Sequence, residues 1–358
     1  MRMGSAIMVL LGVVAMPGIS VAAHKSGVGF THKDWELSCD NTGTCRAAGY
    51  QADGVEPAVS LLLVRSAGSR QVVTAQIQLG TYGESDSALA EGVKELAIKA
   101  GGRTIGKIGM TPGAEIATLT GAALAALMPA LLQAPGVTFS SGKQEWRLST
   151  AGASAVLLKM DEVQGRIGTI GAVVRKGSKP EDGVVKPVAA PIVIAAPVTA
   201  ANSKDVLLTA PQRAALLKEL RQTVDRDECR GLYSPQAGEK TIELDINRLS
   251  ATKLIASVVC ETYAYNQSSL FWVVNARAPF APVNAASDAT EYGNGEIVSA
   301  QKGRGLGDCF SSSTYTWDGA QFVMTKEATS GMCRLVAPGG AWDLPTYVAT
   351  VRKAATAR

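Results

Sequence analysis

The chain reads as an α+β protein: two mainly antiparallel β modules with a few helices, joined by a Pro/Ala-rich linker. Three observations predict this. Short runs of period-two alternation, the mark of half-buried strands, recur in both halves of the 358 residues. A few Ala/Leu-rich stretches carry helical spacing instead. Between the halves the composition changes to Pro, Ala and Val, where Pro187, Pro191 and Pro197 forbid a regular helix and favour extended chain. The expected boundaries are a leader at 1–23, a disulfide-containing β-rich module at 24–175, the linker at 176–204, and an α+β module with four cysteines at 205–358.

The leader comes first. Arg2 supplies a positive start, and residues 6–16 (AIMVLLGVVAM) form an apolar run too short to cross ~30 Å of hydrocarbon as a helix. Residues 20–23 (SVAA) then place small side chains where a signal peptidase needs them, so cleavage after Ala23 is expected, with Ala22 next. No cysteine follows the apolar run to accept a lipid. The expected destination is the periplasm, with no integral membrane span once the leader is removed.

In the first module, residues 34–39 (DWELSC) alternate like a strand entering a tight turn, and 59–64 and 72–79 read as further strands. Residues 119–133 are Ala/Leu-rich and helical, with Pro129 expected to kink or end the helix. After a strand at 146–149, Ser149 or Thr150 is expected to cap a helix at 153–166, in which Val156, Leu157 and Met160 share one face. The second module begins with a capping box, Thr209 at N-cap and Gln212 at N3, followed by an apolar stripe of Leu216, Leu217 and Leu220. Strands are expected at 241–246, 254–260 and 270–275. Residues 315–323 read as a hairpin turning at Asp318-Gly319.

Export places Cys39, Cys45, Cys229, Cys260, Cys309 and Cys333 in an oxidising space, where an even count reads as bridges. Cys39 and Cys45 precede the linker and enclose a tight turn, so they are expected to pair. The other four permit three connectivities; neighbours along the chain favour Cys229–Cys260 and Cys309–Cys333. A thiolate metal site or redox pair would want Cys-x-x-Cys spacing, which the sequence lacks.

Composition excludes several classes. Apolar residues reach 46% and charged residues 18%, which argues against a wholly disordered chain. The net charge is +4 and no basic run is long enough to track a phosphate backbone, so no nucleic-acid partner is expected. No Gly-x-Ser-x-Gly elbow is present, and the only histidines are His24 and His32. After cleavage His24 would present an amino group beside its imidazole, a copper-site alternative with His32, set against a terminal histidine with no role. Neither a cofactor nor a metal is expected.

Two features remain as binding candidates. Residues 303–309 (GRGLGDC) put glycines beside Arg304 and Asp308, so backbone amides and a guanidinium could approach an anion. The bland reading is a turn that positions Cys309 for its bridge. Tyr265, Trp317 and Trp342, with Tyr263, Trp272 and Tyr292, offer large contact areas at low entropy cost, against the alternative that strand aromatics fill a core. Glu261, Asp308, Asp318 and Asp343 supply carboxylates, but no spacing marks a hydrolytic pair.

Residues 33–51 (KDWELSCDNTGTCRAAGYQ), 146–168 (WRLSTAGASAVLLKMDEVQGRIG), 303–309 (GRGLGDC) and 339–345 (GGAWDLP) together resemble a bacterial family catalogued as domain of unknown function 1176. The opening from Trp35 to the paired cysteines, with the Ala-rich helix, is also distantly similar to the invasion-associated locus B family of exported envelope proteins. The resemblance implies an exported protein of Gram-negative bacteria and carries over no catalytic residue. The leading expectation is a non-enzymatic periplasmic protein that binds or supports an envelope protein or glycan. The alternatives are an inhibitor of an envelope-attacking enzyme such as a lysozyme, and a carbohydrate- or peptide-active hydrolase.

Overall fold

The computed structural model describes residues 27–111, 113–198 and 208–354. The leader, its cleavage site, His24 and the end of the Pro/Ala stretch lie outside the described residues.

The chain opens with β1 (Val28–His32), β2 (Trp35–Cys39), β3 (Cys45–Tyr50), β4 (Val59–Arg65) and β5 (Thr74–Leu79). Helix α1 (Glu84–Glu91), β6 (Glu95–Ala100), β7 (Arg103–Gly109) and β8 (Ile116–Leu119) follow, then α2 (Gly121–Gln133), β9 (Gly136–Ser141), β10 (Gln144–Ser149) and α3 (Ala153–Val163). A six-stranded antiparallel sheet has the order β1-β2-β3-β4-β5-β8, and a four-stranded one β10-β9-β6-β7. Because side chains alternate, Trp35, Leu37, Leu61, Leu63 and Ile77 of the first sheet share a core with Ile98, Phe139 and Trp146 of the second. Val156, Leu157 and Met160 of α3 complete that core.

The helix expected at 119–133 is present, and of the two alternatives for Pro129 one falls, while the cap expected for the next helix needs correction. Pro129 does not end α2, which runs on to Gln133 with Leu127 and Leu131 buried on either side; their burial offsets the missing backbone donor. Neither Ser149 nor Thr150 caps α3. The Thr150 hydroxyl donates to the Ala134 carbonyl at 2.7 Å, and Gly152, at φ 103°, takes the N-cap position with its Cα pressed against the His32 carbonyl. The helix also stops at Val163, because the residues beyond it turn into a buried polar network. Arg65 donates to Asp161 at 2.7 Å and to Gln164 at 2.6 Å, while the other Asp161 oxygen accepts the Val173 and Val174 amides. Arg166 pairs with Glu181 and donates to the Gly68 carbonyl.

That network reaches into the Pro/Ala stretch. Where composition suggests a semi-rigid spacer, the described residues form an extended strap fixed along its length. The Gly68 amide donates to the Val185 carbonyl, the Val185 amide to Gln164, and the Val188 amide to Thr42. Polyproline-like chain leaves its backbone groups open, and here neighbouring loops satisfy several of them. Beyond Pro191 the strap becomes β11 (Ile192–Ala195).

The second module contains α4 (Ala210–Leu220), β12 (Asp245–Arg248), β13 (Lys253–Thr262), β14 (Gln267–Asn275) and β15 (Val283–Ala289). It continues with β16 (Glu291–Gly293), β17 (Glu296–Lys302), β18 (Phe310–Trp317), β19 (Phe322–Thr329), β20 (Leu344–Val348) and β21 (Thr350–Lys353). Strands β12 to β15 form one antiparallel sheet and β16 to β20 another, both in chain order, while β11 pairs parallel with β21. Thr209 and Gln212 form the expected capping box. Residues 241–244 alternate as expected, yet the strand begins only at Asp245, where pairing to Ser257 of β13 starts. Strands β13 and β14 are buried on both faces. Leu254, Val258, Trp272 and Val274 pack beneath Leu216 and Leu220 of α4, while Ile255, Phe271 and Val273 pack against Ile297, Trp317 and Phe322. Double burial explains their near-continuous apolar runs.

All six cysteines are bridged, as Cys39–Cys45, Cys229–Cys260 and Cys309–Cys333. Among the described residues no helix is long and apolar enough to cross a membrane.

Candidate functional site

The 303–309 loop is built to hold one arginine. The Gly303 amide donates to the Cys309 carbonyl at 2.9 Å and the Gly307 amide to the Arg304 carbonyl at 3.0 Å, closing a tight turn. Gly303 lies against the sulfurs of Cys309 and Cys333, where a Cβ would have no room, and Gly307 sits at φ 69°. This loop puts Arg304 over Asp308: Nε reaches Oδ1 at 2.7 Å and Nη2 reaches Oδ2 at 2.5 Å, a two-point pair. Asp308 Oδ2 also accepts the Leu335 amide at 2.8 Å. Burial pushes the Asp308 carboxyl up, but the Arg304 and Leu335 bonds outweigh it and hold the group below the ordinary carboxylate range. Arg304 is pushed up in turn by its bond to Asp308.

The Cys309–Cys333 bridge ties this loop to the segment carrying Arg334 and Leu335, which crosses onto the first module. Arg334 Nη2 donates to Asp34 at 2.9 Å, its Nη1 lies 3.4 Å from Asp53, and Gln51 donates to its carbonyl at 2.7 Å. Between the two modules lies a cleft of about 220 Å³, lined by Asp53, Glu56, Tyr82 and Asp86 on one side and by Arg304 and Arg334 on the other. The Tyr82 hydroxyl donates to the Leu306 carbonyl across the rim at 2.6 Å. The ring of Tyr265, 46% exposed, lies against Gly305. Asn266 holds the Tyr265 turn to Lys302 with two hydrogen bonds.

The cleft is electrostatically one-sided. Both arginines are engaged by aspartates, whereas Glu56 and Asp86 have no ion-pair partner among the described residues. Burial, and then the nearby Glu56 carboxylate, push the Asp86 carboxyl above its ordinary value. Chemically, such a cleft suits a cationic group more than the anion that the Arg304 loop suggested.

Arg304, Asp308 and Tyr265 thus come together at the 303–309 loop, and of the three Arg304 lines the cleft. Trp317 and Trp342 do not join them. Trp317 is 1% exposed, packed on Phe322 with ring centroids 5.4 Å apart. Trp342 is 9% exposed and wedged between the modules, its Nε1 donating to Ser60 at 2.7 Å. A face of β18 that meets a second sheet, and a segment that crosses between modules, both bury their largest side chains. Each of the other carboxylates has its own engagement: Glu261 with Arg230, Asp343 with Lys326, and Asp318 with the amides of its turn. The Asp308 carboxylate and the sulfurs of Cys309 and Cys333 lie within 4.8 Å of one another, but the sulfurs are bonded together and Arg304 occupies the carboxylate. They are not a metal centre.

Sequence reasoning missed the first module's contribution. Asp53-Gly54 and Glu56-Pro57 were visible as turn chemistry, and nothing local says that the turn faces Arg304.

The sequence profile of DUF1176, a protein family of unknown function, matches residues 29–349, which includes both walls of this cleft. The chain belongs to the DUF1176 family. An uncharacterised protein of Escherichia coli strain K12, YpfG, is 25% identical to this DUF1176 chain over 324 residues, covering 84% of this chain and 87% of the other. Among solved structures, invasion associated protein B from Bartonella henselae is similar to part of it, with 13% identity and a TM-score of 0.28. That likeness covers 38% of this chain and 99% of the other.

Proposed function

We propose that this DUF1176 protein is exported to the periplasm and acts there as a non-enzymatic binding protein, holding an envelope protein that presents basic side chains to the inter-module cleft. The observation that carries the reading is the pair Glu56 and Asp86, facing a cleft whose two arginines are already neutralised. The leader pattern and three formed disulfides support the compartment. Both cleft walls are braced, one by the Cys309–Cys333 bridge and the other by the Gln51–Arg334 bond, which favours a preorganised site.

The test is capture of partners by the mature chain, disulfides intact, from periplasmic and envelope extract, beside a Glu56→Gln, Asp86→Asn variant. One stoichiometric basic protein, released by raised salt and absent from the variant, is the expected result. Empty beads, or a partner the variant keeps, would sink the reading. The narrower alternative, an inhibitor of an envelope-attacking lysozyme, is tested by adding the mature chain to a lysis assay; an undiminished rate removes it.

A further inference from the structure

A second concavity lies away from the cleft residues, where the sheet of β17–β20 meets the β1–β2 hairpin. Register builds it. Ser299, Ser313 and Glu327 stand side by side on β17, β18 and β19, and Ser311 stands beside Thr329 in the next row. Gly29 and Thr31 face Ser38 and Glu36 across β1 and β2. An open cavity of about 470 Å³ lies over the face of β17–β19 beside Gly27, and one of about 230 Å³ lies between that sheet and β1–β2; they share Thr329 and Thr346, making one trough. Its volume falls within the ~300–1,000 Å³ of small-molecule sites, which favour junctions between modules.

The wall chemistry is unusual for a surface sheet. The hydroxyls of Ser311, Ser313 and Thr329 make no side-chain hydrogen bond among the described residues. Glu327 is held in place by the Thr346 hydroxyl at 2.7 Å, and Ser299 by the Asp288 carbonyl at 2.6 Å. The trough therefore has fixed groups at its edge and open hydroxyls on its floor.

We infer that this trough binds a neutral polyhydroxylated chain, an oligosaccharide. Serine and threonine hydroxyls both donate and accept, which matches a ligand whose own hydroxyls do the same. The Glu327 carboxylate can accept from two neighbouring sugar hydroxyls at once. An anion would meet Glu327 with no lysine or arginine among the lining residues, and so is disfavoured. A ligand that reproduces the hydrogen bonds of the water it displaces loses little on entry. The inference stands apart from the cleft and survives its failure.

Calorimetric titration of the mature chain with maltotetraose, cellotetraose and chitotetraose tests it, in parallel with a Ser311→Val, Ser313→Val variant and a Glu327→Gln variant. Valine suits strands, so thermal midpoints should hold. Binding of at least one oligosaccharide is expected, weakened about tenfold or more in the serine variant, as two lost hydrogen bonds require. Glu327→Gln keeps the shape and should weaken binding too. The Glu56→Gln, Asp86→Asn cleft variant should bind as the unaltered chain does. No binding to any of the three, or undiminished affinity in both trough variants, overturns the inference.

Discussion

Asp308, buried, and Glu36, half-buried, are carboxylates whose titrations act on stability with opposite signs. Asp308 is held below its ordinary value, so its contribution is present above that value and is lost as pH falls through the depressed one. Glu36 is raised by burial, against the hydrogen bonds it accepts from Tyr50 at 2.7 Å and the Met332 amide at 2.8 Å. Its folded form holds the proton longer, so stability is greatest below the ordinary glutamate value and declines as pH rises through the raised one. Denaturant titrations across pH should show Glu36→Gln flattening the decline above the ordinary glutamate value. Asp308→Asn should remove part of the loss on the acid side. An unchanged profile in both variants would contradict these assignments. Asp308 stood out in the sequence only as part of the 303–309 loop and Glu36 not at all, because the surroundings of both depend on the 332–335 segment.

At the scale of elements, legibility tracks how local the signal is. The Thr209–Gln212 capping box is satisfied within four residues and was readable directly. The apolar runs of β13 and β14 were readable as strands, although only the packing of α4 on one side and β18 on the other explains why they hardly alternate. The start of α3 at Ala153 was readable but its cap was not, since the competing partner of Thr150 is Ala134 in another element. The strap's extension was readable from its prolines, which say nothing about Arg166, which holds Glu181. The network beneath it is testable. Asp161→Asn leaves the buried Arg65 without a counter-charge and should cost about 3–5 kcal/mol of stability. Limited proteolysis should then cut within 166–185 before any other region. A variant that melts like the parent and resists cleavage there would show that the network does not hold the strap.

At the scale of the whole molecule, the modules share a core. Ala48, Tyr50, Ala58 and Leu62 of the first module's outer face pack with Val336, Trp342 and Leu344 of the second. Ser38 donates to the Pro345 carbonyl at 2.6 Å, and the Asn41 side chain makes two bonds to Val348 at 3.0 and 2.8 Å. The Gly27 amide reaches the Thr346 carbonyl at 2.9 Å. Calorimetry of the intact chain should therefore give a single unfolding transition, and Trp342→Ala, removing about 3–5 kcal/mol of packing at the junction, should split it into two. A single transition in the variant would mean that the modules are coupled elsewhere. The same junction forms the cleft and the narrower end of the trough, both lined from the two modules.

The sequence by itself determined the α+β class, most of the strand and helix segments it named, the Cys39–Cys45 pairing and the family, and by chain order it favoured the other two pairings. Each of these rests on periodicity, capping, spacing or shared stretches of residues, which act over a few turns or along the chain. Only the tertiary structure decided that Trp317 and Trp342 are buried, that Asp53, Glu56 and Asp86 confront Arg304, and that the hydroxyl rows of β18 and β19 open beside β1. Those are meetings between residues far apart along the chain, such as Ser38 and Pro345, 307 positions apart, and no local pattern of hydropathy records them.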